Sequence, residues 1–264
     1  FLFNIFIFVF IIGTSFYFFE NYTEWKFAAG FTFLFTLTLA SIALHEFFHA
    51  FFAFIFGDYT VFSKKYLRLN IFKYIDNFGS FFFPLVVFFF SGIFSPGAAV
   101  FINENNIRYR VFHFIVNISG IFSQVIFLLG ILFILNLYNN FLSNDFIILL
   151  HTAAFFQILI LVFNLLPIPG LDGWNAIFSL LSKDIGNSIS NFLSYPLIIG
   201  FVACLIFIDD FNLWFFSNLF LLGNIFGLNK NLILEGYSYL KIIDINTLLL
   251  FKERIFDLIT KIIT

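Results

Sequence analysis

Charged residues are scarce in this chain, at 11% of its 264 residues, and Cys occurs only once. Met is absent altogether, position 1 included, so no signal peptide is read into the first residues. Soluble domains usually carry about 25% charged residues, and no long polar stretch here could house a separate soluble domain. The lone Cys204 excludes a disulfide framework and any cysteine-ligated metal cluster. With a net charge of −2 and no basic stripe, nucleic acid is excluded as a partner. What the chain has instead is apolar surface: 61% of it is hydrophobic, fifty residues are Phe, and the mean hydropathy is +1.02. Such a composition would aggregate in water. It reads as an all-α, polytopic integral membrane protein whose partner surface is the lipid bilayer.

A helix needs about 20 mostly apolar residues to cross the hydrocarbon core. Six stretches meet or approach that length: Phe1–Phe19, Phe27–Phe56, Phe81–Phe101, Val111–Leu137, Phe146–Leu166 and Ile189–Ile208. Phe211–Leu228 could cross or lie at the interface. The expected organisation is a membrane-embedded domain over 1–228 and an interfacial or cytosolic tail over 229–264, mixed in charge. No internal repeat is visible. Pro84, Gly92, Pro96 and Gly97 interrupt the third stretch, so a straight spanning helix is disfavoured there. Lys64, Lys65, Arg68 and Lys73 precede it and Arg108 and Arg110 follow it, while the loop at 138–145 has no Lys or Arg. The positive-inside rule therefore puts both flanks of Phe81–Phe101 in the cytosol, which makes that stretch a re-entrant hairpin. An ordinary crossing is the alternative.

His45-Glu46-Phe47-Phe48-His49 interrupts the second stretch. Positions i and i+4 share a helix face, so both imidazoles can grip one metal ion, and Glu46 beside them can act as general base. The pattern alone is moderately specific. Inside a bilayer helix, however, two imidazoles and a carboxylate are costly and mark function; a polar knot bonded to neighbouring helices is the bland alternative. Two histidines leave a catalytic zinc one protein ligand short. His113 and His151 are read as bonding to neighbouring groups or sitting at the interface. The stronger candidate is Asp172, after the Pro- and Gly-broken run Asn164 to Gly173 at the end of an apolar span. Its alternative reading is an N-cap of the following helix. Broken backbone at membrane depth is tolerated where it lines a protein cavity, which favours the ligand.

These residues resemble the site-2 protease family of intramembrane zinc metalloproteases, over roughly Phe27 to Ile208. His45–His49 is similar to the family's HExxH, which implies His45 and His49 as zinc ligands and Glu46 as base. Asn164–Gly173 is similar to its Asn-x-x-Pro-x-Pro-x-Leu-Asp-Gly motif, implying Asp172 as third ligand and Asn164, Pro167 and Pro169 along the substrate cleft. Ser119–Gln124 resembles Ala-Gly-Pro-x-x-Asn, with Ser, Ile and Gln as departures. Asp76–Ser80 followed by Pro84 resembles the Asp-Pro-x-Gly-Thr stretch of short bacterial-type members, and no insertion large enough for a PDZ domain lies between Gln124 and Asn164. The resemblance implies one catalytic zinc ion and a transmembrane protein substrate, cleaved near the cytosolic side. A metal transporter or channel is the competing class, since intramembrane His and carboxylate groups also mark ion paths; a single compact cluster without repeated halves favours catalysis. A His₂-carboxylate set also suits iron. Substrate identity, oligomeric state and the host membrane are not readable from the sequence.

Overall fold

The computed structural model describes residues 2–74, 100–138, 142–181 and 196–239. Among these, every regular element is helical. We number the longer helices α1 (Leu2–Asn21), α2 (Lys26–Ile55), α3 (Arg110–Tyr138), α4 (Asn144–Leu165), α5 (Asp172–Leu181), α6 (Pro196–Phe207), α7 (Asp209–Ile225) and α8 (Lys230–Ser238). Four of them, α1 to α4, are long and apolar enough to cross a membrane. They match four of the expected stretches within about two residues at each end, because the flanking Lys26, Arg110 and Asp145 stay at the termini.

The fifth match is different. A span was expected over Ile189–Ile208, and the described residues take it up from Pro196 as α6, which ends within a residue of the expected end. The chain then bends by 96° into α7. At the corner Ile208 adopts extended backbone, Asp209 and Asp210 open the next helix, and the Asn212 amide donates to the freed Leu205 carbonyl. The pair therefore forms a broken span or a re-entrant element. The hairpin expected over Phe81–Phe101 lies, apart from its last two residues, outside the described residues. Its two flanks, Tyr74 and Val100, belong to the same buried cluster. Of the stretch assigned to a tail, residues 230–238 form α8, which packs on α4 with Ile233 buried.

Helix α4 is the hub, touching α1, α2, α3, α5, α7 and α8. Its buried residues run almost without interruption from Ile148 to Ile160, as expected of a helix surrounded by others. On α3 the pattern splits: Phe122, Ile126, Leu129, Phe133 and Leu137 are exposed, and Ile121, Leu128, Ile131 and Leu135 are buried. The exposed stripe is as apolar as the buried one, which is the signature of a face solvated by lipid rather than water. On α2, beyond the buried Phe33 and Leu34, the inward stripe is instead small and polar, with Thr38, Ser41, Ala43, His45, His49, Ala50 and Ala53. Small residues let α3 approach closely, and this is the face that carries the site.

Two polar clamps define the ends. Lys26 Nζ lies 2.9 Å from Asp145, joining the start of α2 to the start of α4. At the other end the buried Asp58 carboxylate accepts from Thr60 N and Oγ1, Asn103 N (2.7 Å) and Asn106 Nδ2 (2.9 Å), tying the exit of α2 to the lead into α3. Burial pushes this carboxyl up, but the hydrogen bonds from Thr60, Asn106 and Asn103 outweigh it and hold it below the usual carboxylate range.

Candidate metal centre

His45 and His49, one turn apart on α2, point their Nε2 atoms to within 3.0 Å of each other. Asp172, the first residue of α5, brings Oδ2 to 2.9 Å from His45 Nε2 and 3.3 Å from His49 Nε2. The three atoms thus close a small triangle. Around a tetrahedral zinc with ligand distances of about 2.0–2.2 Å, neighbouring donors sit roughly 3.2–3.6 Å apart; one edge of the triangle falls in that range and the other two are a few tenths of an ångström shorter, so a small outward shift would admit such an ion. It is the one His/Cys/Asp/Glu group able to hold a metal among the described residues. The donor chemistry agrees. Asp172 Oδ2 is buried and makes no conventional hydrogen bond, so a cation would answer an otherwise orphaned acceptor.

The surroundings orient these groups. His49 Nδ1 lies 2.7 Å from the Val116 carbonyl, and because a carbonyl only accepts, Nδ1 carries the proton and Nε2 keeps its lone pair for the triangle. Glu46 is equally buried, with Oε1 3.9 Å from His45 Nε2. Its Oε2 accepts from the Val100 N–H at 2.9 Å, so one oxygen is anchored and the other faces the centre. Helix α3 passes directly over the imidazoles at Gly120, where a Cβ would run into both rings. At the end of α4 the extended backbone at Leu166 breaks the helix before Pro167. Gly173 then backs onto the Leu165 and Leu166 carbonyls so closely that a Cβ would lie 2.9 Å from Leu166 O. That contact is what turns Asp172 toward α2, away from a capping role.

Of the other predicted site residues, Asn164 is buried and its Nδ2 donates to Gln124 Oε1 at 3.2 Å, linking α4 to α3. Pro169 is buried and Pro167 exposed. His113 and His151 stay outside the cluster: His113 Nε2 meets the Ile107 carbonyl, and His151 Nδ1 accepts from Asn229 N. Sequence reasoning missed Val100, since a backbone donor leaves no mark in side-chain identity. It also missed the role of Gly120; a glycine inside an otherwise bulky span was the available signal.

Helices fit to cross a membrane, enclosing a His/His/Asp triangle with a carboxylate beside it, define the class: a membrane protein built around a metal-binding centre. Comparison with known proteins sharpens it. A protein of Mycolicibacterium smegmatis provisionally named zinc metalloprotease Rip2 is 30% identical over 198 residues, 75% of each chain. Its Mycobacterium tuberculosis H37Rv counterpart shows the same identity and coverage. A Bacillus subtilis protein provisionally named zinc metalloprotease YwhC is 27% identical over 185 residues, 67% of this chain and 81% of its own. No family model matches the chain. No solved structure matches it either. The chain belongs to the site-2 protease family of zinc metalloproteases.

Proposed function

We propose that the protein is a multi-pass intramembrane zinc endopeptidase, with His45, His49 and Asp172 holding one zinc ion and Glu46 acting as general base. The observation that carries this reading is the buried triangle of ligand atoms with the free oxygen of Glu46 directed at it. Zinc, when bound, lowers the pKa of water toward neutrality and polarises a carbonyl. Glu46 takes a proton from the attacking water and delivers it to the leaving amide nitrogen. The Val100 N–H keeps that carboxylate from swinging away between the two transfers. His49, fixed through Val116, sets the orientation of the ligand pair.

A membrane-spanning substrate hides its backbone in helical hydrogen bonds, so cleavage requires local unwinding. The strip 166–169, directly after Asn164 and the end of α4, is not helical and supports a role in pairing with an unwound segment. Asn164 would contribute its amide and Pro167 and Pro169 would shape the cleft. The site is assigned to the cytosolic side of the membrane. In support, the triangle lies in the half of α2 that ends near the Lys- and Arg-bearing segments 57–74 and 101–110.

The test is cleavage of a single-pass model substrate by the purified protein in detergent, with and without a chelator. Cleavage inside the apolar segment, abolished by chelation and restored by zinc, is the expected outcome. Cleavage only in the soluble flanks would overturn the intramembrane assignment. Zinc flux through proteoliposomes without any proteolysis would point instead to the transporter class.

A further inference from the structure

The end of the molecule that carries Asp58 also carries a surface that catalysis does not use. Lys64, Lys65, Arg68 and Lys73 are exposed along 57–74, and Arg108 is exposed in the neighbouring 101–110 segment. Of the two acids there, Asp58 is buried in its own hydrogen bonds and Glu104 belongs to the 101–110 segment. No carboxylate among the described residues pairs with Lys65, Arg68 or Lys73. Interleaved with these cations are large apolar side chains that water does not favour: Phe62 is 67% exposed and Phe72 80%. Tyr59 beside them is exposed too.

The backbone is built to produce this surface. Lys65 and Leu69, neither of them Gly, both adopt left-handed conformations (φ 64° and 53°) on either side of the turn Tyr66–Arg68. Such conformations are unfavourable for residues with a side chain and persist only where the surroundings impose them. Here Tyr66 is buried beneath Tyr74, whose hydroxyl donates to the Tyr66 carbonyl at 2.7 Å. The Arg68 carbonyl is held by the Asn4 amide. The segment is thus pinned to the helix ends with Val61, Tyr66, Leu69 and Tyr74 buried, which leaves Phe62 and Phe72 exposed together with the cations. The opposite end is different in sign: Glu20, Glu24 and Asp145 sit there with Lys26, which is already paired to Asp145.

We propose that this basic, aromatic face binds the phosphate headgroups of anionic phospholipids, with Phe62 and Phe72 inserted at the acyl boundary and Lys65, Arg68 and Lys73 on the phosphates. Charge complementarity and aromatic insertion together favour a lipid surface over a soluble acidic peptide, which would leave the Phe side chains in water. The assignment concerns lipid association and stands apart from the catalytic reading.

The protein is reconstituted with zinc into phosphatidylcholine vesicles containing trace spin-labelled phosphatidylglycerol or phosphatidylcholine. The ratio of their association with the protein is read from the motionally restricted spectral component. One cation at an anionic surface contributes about a fivefold preference, so the wild-type ratio should favour phosphatidylglycerol by about three- to tenfold. It should fall toward one in Lys65→Gln/Arg68→Gln/Lys73→Gln and in about 1 M salt, and be unchanged in Lys230→Gln on the far side. If the triple variant loses its helical circular dichroism, the exposed single changes Lys65→Gln and Lys73→Gln replace it, each expected to lower the ratio in part. A wild-type ratio of one, or an undiminished ratio in the folded variants, would overturn the proposal. So would tight binding of a soluble Glu-rich peptide without lipid selectivity.

Discussion

The four side chains of the proposed site are assigned separable jobs, and charge-preserving or shape-preserving changes tell them apart. Glu46→Gln keeps the shape and the acceptor for Val100 N–H but loses the proton acceptor, so zinc should stay while the cleavage rate drops about 10²–10⁴-fold. Asp172→Asn removes the negative charge of the ligand triangle, and zinc per protein should fall together with rate. His45→Ala and His49→Ala should empty the site nearly completely, whereas His113→Ala and His151→Ala, remote from it, should retain most of both. Elemental analysis paired with rate on all six variants decides the matter; full zinc in Asp172→Asn would remove Asp172 from the ligand set. Gly120 supplies a sharper structural test. Gly120→Ala places a methyl group against both imidazoles and should weaken zinc binding about tenfold or more. Gly130→Ala, nearly three turns along the same helix with nothing within 4 Å, should change neither zinc content nor activity.

At the scale of elements, the Asp58 clamp holds the exit of α2 to the lead into α3, and its strength depends on charge. The folded-state pKa lies below the ordinary carboxylate value. Its contribution is therefore fully present above that ordinary value and is lost as pH falls through the folded one. Thermal stability in detergent should decline as the pH is taken below about 4, and Asp58→Asn should flatten that decline. At neutral pH Asp58→Ala should cost about 1–3 kcal/mol by orphaning its donors. An acid limb identical in Asp58→Asn and wild type would assign the loss to other groups. The same clamp positions Val100, a few residues before Asn103, so its loss should also lower the rate without lowering zinc content.

For the whole molecule, the two clamps sort the connections into two ends. The turn at 22–25 and the start of α4 share one end, while 57–74, 100–109 and the start of α1 share the other. With Cys204 replaced, single cysteines at 70 and 106 should label from the same side of sealed vesicles, and cysteines at 24 and 143 from the opposite side. Labelling of 70 and 106 from opposite sides would make 75–99 an ordinary crossing. A zinc ion held as proposed would bridge α2 to α5, so chelation should lower the thermal midpoint as well as activity. At a free concentration of a thousand times Kd, the ion contributes about 4 kcal/mol to the folded state. An unchanged midpoint after verified zinc removal would contradict that bridging role.

Sequence alone determined much of this protein, because its strongest signals are local. Uncharged runs of sufficient length mark α1 to α4, and the i, i+4 spacing of His45 and His49 puts two imidazoles on one face whatever surrounds the helix. The Pro- and Gly-broken run ahead of Asp172 is local as well. Other features were decided only by tertiary structure. Whether Asp172 caps its helix or turns to α2 depends on the backing of Gly173 onto the end of α4, a contact between segments. The anchoring of Glu46 by Val100 and the passage of Gly120 over the imidazoles join residues far apart in the chain. Hydropathy marks the stretch Ile189–Ile208 and its end, but not the 96° bend by which α6 runs on into α7 after Phe207. Hydropathy reports the transfer of side chains into lipid; it does not report where backbone groups find partners, and that accounting is settled only when helices meet.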